Sequence, residues 1–194
     1  MNDQERELKT LITKEQYDKL ESLYPFSISR EQINTYYDNA AKDLQARRMG
    51  LRIRQIPKSD GTSEYILTLK KPLDAITKYE YERIVNAPTL DQLEPEVKEW
   101  LEDKLDHLAP LSDFHPTLKT RTVRKIYEMP QAELCLDYTE FAHHSDYEAE
   151  YEYHHEHDGI RKFNELLAPA GVVYEKNCPS KLARAVMDQD KENL

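Results

Sequence analysis

Cysteine is scarce. Only Cys135 and Cys178 occur among 194 residues, too few for a disulfide scaffold, and this points to a reducing cytoplasm. No apolar run approaches the roughly 18 residues of a membrane span. The opening MNDQERELKT has no apolar stretch of the kind a secretory leader needs. Glycine is scarce too, at four residues, and no Gly/Ser-rich linker divides the chain. The length suits one domain, 1–194, with fraying expected over about 188–194, DQDKENL. Positive charge is in deficit: 27 Lys and Arg against 37 Asp and Glu give a net charge of −10. A nucleic-acid duplex demands the opposite balance, so it is excluded as a general partner. Disorder is excluded by 39% hydrophobic residues, 13 tyrosines and clear periodicity.

That periodicity is mostly alternation, the mark of strands. Eight strands are expected, over about 4–12, 32–38, 49–56, 63–71, 77–86, 117–127, 131–138 and 146–153. Helices are expected where apolar stripes follow start signals. Thr13 and Gln16 form a capping box ahead of Tyr17, Leu20, Leu23 and Tyr24. Pro95 opens a stripe of Val97, Trp100, Leu101, Leu105 and Leu108. Residues 160–168 form a third helix, stopped by Pro169 and Gly171, and Pro179 begins a fourth. Either group of strands alone would leave open edges, so one closed sheet is the simpler arrangement. The fold class is therefore α+β: an eight-stranded antiparallel closed β-barrel with helices packed outside.

The charged positions of these strands are segregated by sign. Glu5, Glu7 and Lys9 share one face of the first strand, and Arg52 and Arg54 one face of the third. Lys70 follows Thr68; Glu80 and Glu82 alternate with tyrosines; Lys119 and Arg121 lie together; Glu148, Glu150 and Glu152 lie together. Ordinary surfaces intersperse the signs. With amphipathic helices covering the apolar faces, the charges point into the barrel, whose interior admits side chains or one small ligand. A charged lumen is costly unless paired. Clustered carboxylates (Asp137 with the glutamates) suit Mg²⁺ or Mn²⁺, and clustered Arg and Lys suit phosphate oxygens. A metal-bound polyphosphate satisfies both. Arg124 has the opposite parity from Lys119 and Arg121, which counts against it unless a bulge intervenes. His143, His144, His154, His155 and His157 read as surface loops, because a metal site needs convergent ligands. Cys135 reads as a small apolar side chain, Trp100 as core, Tyr36 and Tyr37 as packing, and Asp43, Arg47 and Arg48 as a solvated connection.

Glu5-Arg6-Glu7-Leu8-Lys9 is similar to the Glu-x-Glu-x-Lys hallmark of the CYTH family, the triphosphate tunnel metalloenzymes. Further matches follow in order: Tyr36-Tyr37-Asp38, Leu51-Arg52-Ile53-Arg54, Leu69-Lys70-Lys71-Pro72, Glu80-Tyr81-Glu82, Lys119-Thr120-Arg121, Leu136-Asp137, Tyr147-Glu148-Ala149-Glu150 and Ser180-Lys181. They span almost the whole chain, whose length is that of a small stand-alone bacterial member. The resemblance implies a tunnel that binds a small-molecule triphosphate through Lys9, Arg52, Arg54, Lys70, Lys119, Arg121 and Lys181. It implies divalent metal on Glu5, Glu7, Asp137, Glu148, Glu150 and Glu152, with Lys9, Glu80, Glu82 and Glu150 as catalytic candidates. The family includes inorganic, thiamine and RNA triphosphatases and class IV adenylate cyclases, so fold and ligand class carry over and the reaction does not. Hydrolysis of inorganic tripolyphosphate is expected first, since no adenine-reading or thiamine-stacking motif stands out. Cyclisation of ATP comes second and a non-catalytic sensor third; the oligomeric state stays open.

Overall fold

Eight strands close on themselves in a computed structural model that describes residues 4–190. They are β1 (Gln4–Ile12), β2 (Ile28–Asp38), β3 (Gly50–Pro57), β4 (Ser63–Pro72), β5 (Thr77–Val85), β6 (His115–Glu128), β7 (Ala132–Glu140) and β8 (Ser145–Tyr153). Their order around the barrel is β1-β5-β4-β3-β2-β6-β7-β8, every pair antiparallel, and β1 closes the ring by pairing with both β5 and β8. Closure leaves no free edge. It also sets β3 diametrically opposite β8, four places around the ring.

The helices are α1 (Lys14–Leu23), α2 (Asp43–Ala46), α3 (Pro95–Lys104), α4 (Gly159–Leu167) and α5 (Lys181–Asp190). None is long and apolar enough to cross a membrane. The Thr13 hydroxyl accepts from Gln16 N, and Gln16 Oε1 accepts from Thr13 N, which starts α1 as the capping box requires. The chain leaves α3 at Lys104, earlier than its stripe suggested, because Asp106 and His107 turn left-handed (φ 53° and 50°). The short α2 was not expected, and α5 continues through Asp190 into the stretch where fraying was expected. Its Asp188 is buried, accepting from His143 N and bonded to the His144 ring.

The apolar core lies outside the barrel wall, split into two halves. Leu51 and Ile53 of β3 and Leu67 and Leu69 of β4 pack under Leu101 and Leu105. Leu8 of β1, Leu134 and Leu136 of β7, and Tyr151 of β8 pack under Leu20 of α1 and Phe163 of α4. Outward side chains therefore find their partners in helices, which leaves the opposite parity of every strand to line the interior.

Candidate active site

The interior holds a cavity of about 450 Å³ lined mostly by charged and polar side chains, and in part by Met49, Ile56, Ile66, Ile126 and Leu182. Its positive wall is β3. Arg52 and Arg54 project inward because their neighbours Leu51 and Ile53 are taken by the outer core. Arg52 Nη2 lies 3.6 Å from Glu80 and 3.9 Å from Glu82, but its buried Nε has no hydrogen-bond partner. Arg54 donates from Nε to the neutral Asn34 Oδ1 at 3.0 Å, and among the described residues no carboxylate pairs with it. Burial, followed by repulsion from Arg52 and Arg124, brings its guanidinium down to about 10. Lys70, across on β4, pairs with Glu5 at 2.5 Å and Glu80 at 3.0 Å. Burial opposes its charge, but Glu5 and Glu80 outweigh it and hold the ammonium well above its ordinary range.

The negative wall is β8 with its neighbours β7 and β1. Asp137, Glu148 and Glu150 are buried, and one oxygen from each lies within 4.8 Å of the others. They converge on a cation of the chain itself: Lys181 Nζ is 2.7 Å from Asp137, 2.7 Å from Glu150, and also bonded to Glu148. Arg124 forks onto Asp137 at 2.8 and 2.6 Å and reaches Glu150, while Arg184 binds Glu148. Burial would raise Glu150, but Arg124 and Lys181 outweigh it and hold the carboxyl well below its usual range. Burial pushes Glu148 up to about 7, with Lys181 only partly offsetting it.

Toward the other end, Glu7 is bonded to Lys9 and Lys78, and these ammoniums overcome its burial to hold it ionised. Glu152 faces Glu7 across β1–β8 and Glu133 across β7–β8. Among the described residues no cation reaches it within ion-pair distance. Burial, then the charge of Glu5, push it up to about 8. Burial raises Glu5 as well, Lys70 opposing and Glu7 and Glu80 adding to it. Oxygen-only ligands in clusters fit a hard divalent cation, and Glu152, raised by burial with no described cation in reach, marks where positive charge is short.

Of the expected residues, Glu5, Glu7, Lys9, Arg52, Arg54, Lys70, Glu80, Glu82, Glu150, Glu152 and Lys181 line this cavity, and Asp137 and Glu148 adjoin it through Lys181. Lys119 and Arg121 do not. Lys119 is exposed, and Arg121 pairs outside with Glu31 and Glu140, both at 2.8 Å. The reason is parity. Thr120, Thr122, Arg124 and Ile126 face inward on β6, and its bulge, opposite Tyr36 and Tyr37, comes before Lys119 and so cannot realign the two sets. Arg124 is thus the inward cation of β6. Lys78, Arg184 and the rim residue Arg48 were also missed as site residues; Lys78 shares the parity of Glu80, and Arg184 lies one helical turn beyond Lys181. The histidines stay apart: His144 bonds Asp188, and His157 bonds the Tyr151 hydroxyl. Trp100 packs against the outer core, as does Tyr37, whereas Tyr36 lines the cavity.

The CYTH domain family matches residues 3–184. A Bacillus subtilis (strain 168) protein named "Putative triphosphatase YjbK" is 27% identical over 192 residues, covering 96% of each chain. Two solved structures share the fold, each with a TM-score of 0.72 at 24% identity over 95% of this chain. One is a "putative adenylate cyclase" from Bacillus halodurans, covered over 98% of its length. The other, from Hippeastrum and covered over 96%, is described as a "putative adenylyl cyclase" that "reveals a dominant triphophatase activity".

Proposed function

Because the chain belongs to the CYTH domain family, we propose that it hydrolyses a triphosphate inside the barrel with the help of Mg²⁺ or Mn²⁺, tripolyphosphate being the simplest such substrate. Family membership and its triphosphatase-named relative support an enzyme of the triphosphatase or cyclase kind acting on a small-molecule triphosphate. One observation carries the finer reading. Positive charge that carboxylates match incompletely on β3 (Arg52 Nε without a hydrogen-bond partner, Arg54 bonded only to neutral Asn34) faces, across one cavity, a carboxyl on β8, Glu152, that no described cation reaches. A polyanion carrying a divalent cation supplies what each wall lacks.

Arg52, Arg54 and Lys70 bind the phosphate oxygens, the arginines through paired N–H donors and Lys70 as a point charge. Held rigidly in a buried site, they stabilise the charge that spreads over the transferred phosphoryl group and the leaving pyrophosphate. Lys9 keeps Glu7 ionised and oriented, and Lys78 assists it. Glu5, Glu7 and Glu152 on the mouth side, with Asp137, Glu148 and Glu150 deeper, would hold the metal. When bound, the metal neutralises phosphate oxygens and makes the phosphorus a better electrophile. Glu80 and Glu82, fixed by Lys70 and Thr68, are the carboxylates available to orient water. Lys119 and Arg121 have no part in this scheme.

The test is product analysis with Mg²⁺ or Mn²⁺. Orthophosphate and pyrophosphate from tripolyphosphate, in equal amounts at first, are expected. Cyclic AMP and pyrophosphate from ATP would assign the tunnel to cyclisation instead, and binding without any turnover would make it a sensor.

A further inference from the structure

The enclosed lysines of the cavity, and Arg124 with them, sit on carboxylates. Lys9 and Lys78 take Glu7, Lys70 takes Glu5 and Glu80, and Arg124 and Lys181 share Asp137 and Glu150. Arg54 differs. Its Nε donates to the Oδ1 of Asn34, its cross-strand partner on β2, and among the described residues its two Nη groups bond to no protein atom. Asn34 is 1% exposed, and its own amide nitrogen donates to Thr120 Oγ1 on β6 at 3.5 Å. Two residues along the same strands, Gln32 lies opposite Thr122, whose hydroxyl bonds that of Thr139 on β7 at 3.0 Å. All of these side chains are neutral and buried. At the level of Arg54, neutral polar groups therefore fill the inner faces of β2 and β6, between the arginines of β3 and the acids of β7 and β8.

Burying an amide is costly, and an apolar side chain would fill the same place more cheaply. A carboxylate there would neutralise Arg54 outright. The amide does neither: it fixes one edge of the guanidinium and leaves the charge uncompensated. Resting on the triphosphate reading above, we propose that Asn34 is a positioning residue: it holds Arg54 by Nε and so presents the paired Nη groups, their charge intact, to a phosphate of the substrate. Two parallel N–H donors match two phosphate oxygens only when the guanidinium plane is fixed. A guanidinium already held by a buried carboxylate would have to break that pair before meeting the phosphate. Thr120 keeps the amide the right way round, because its hydroxyl accepts from Nδ2 and thereby turns Oδ1 toward Arg54. Asn34 touches no reacting atom in this scheme. It acts through Arg54.

Two substitutions separate orientation from charge, followed by turnover of tripolyphosphate with Mg²⁺ and by calorimetric binding of imidotriphosphate, which is not hydrolysed. Asn34→Ala removes the holder. It should raise KM and Kd about fivefold or more in the native background, and by less than about twofold in an Arg54→Met background, where nothing is left to position. Asn34→Asp keeps the shape and gives Arg54 a carboxylate. It should raise the melting temperature of the ligand-free protein at pH 7 by about 3 °C or more, yet weaken imidotriphosphate binding about tenfold or more. Unaltered binding in Asn34→Ala, or an equal loss with and without Arg54, overturns the positioning role. Should the alanine variant fold poorly, the isosteric Asn34→Asp decides: native-like binding, or a melting temperature no higher than that of the native protein, overturns the proposal. Each of these results leaves tripolyphosphate turnover by the native protein standing. A native protein that neither hydrolyses tripolyphosphate nor binds imidotriphosphate overturns the triphosphate reading itself, and the role of Asn34 with it.

Discussion

Replacing Glu152 with glutamine should stabilise the metal-free protein, and increasingly so as pH rises. Glu152 has no ion-pair partner among the described residues, and its burial and the charge of Glu5 move its carboxyl from an ordinary 4.5 to about 8. The folded state therefore keeps a proton that the unfolded chain gives up. Its contribution favours folding below pH 4.5 and is lost progressively as pH rises through about 8. At pH 7 the chain stands about 2.5 pH units above the ordinary value, at about 1.4 kcal/mol for each, so the fold loses up to about 3.5 kcal/mol there. Glutamine keeps the shape and cannot ionise. For a chain of this size, the variant should melt about 7–14 °C higher than the native protein at pH 7. The gap should shrink toward zero near pH 4.5. Thermal unfolding followed by circular dichroism in EDTA, from pH 4.5 to 8, measures it. Parallel pH profiles for the two proteins would refute the reasoning, because they would mean that Glu152 is ionised in the fold at no cost.

The remaining predictions concern the walls of the cavity and one packing contact. Lys181→Met leaves Asp137, Glu148 and Glu150 converging without their shared ammonium and should cost about 3–5 kcal/mol; added Mn²⁺ should raise its melting temperature more than that of the native protein. Arg54→Met should raise KM for tripolyphosphate at least tenfold, the worth of a charged hydrogen bond to phosphate of about 1.5–3 kcal/mol, whereas Lys119→Ala and Arg121→Ala, outside the barrel, should change kcat/KM less than twofold. Gly159, at the start of α4, faces the Tyr153 ring so closely that an added methyl would enter it, so Gly159→Ala should lower stability by about 1–3 kcal/mol in chemical denaturation without altering turnover.

Where an apolar partner declares itself, a strand's inner face can be read from residues alone. Leu51 and Ile53 leave Arg52 and Arg54 only one direction, and Tyr79 and Tyr81 do the same for Glu80 and Glu82. β6 offers no such contrast over Lys119–Lys125, where both parities carry charge. Its outer face is set by Tyr127, which stacks on Tyr24 just beyond α1 at 5.8 Å, and by Lys125, which pairs with Glu21. These are tertiary contacts between segments about a hundred residues apart, and no local pattern encodes them. The same limit hid Arg184, since the face of α5 that meets the acids depends on how the helix lies over the barrel end. A helix of four residues such as α2 is too short to show any period.

The most direct test of the charged tunnel as a triphosphate site is a crystal structure with Mn²⁺ and a non-hydrolysable imidotriphosphate, the metal being located by its anomalous signal. The account predicts the phosphate chain against Arg52, Arg54 and Lys70, and manganese at the carboxylates of β1 and β8. Manganese at the histidines, or the anion on the outer wall beside Lys119 and Arg121, would contradict it.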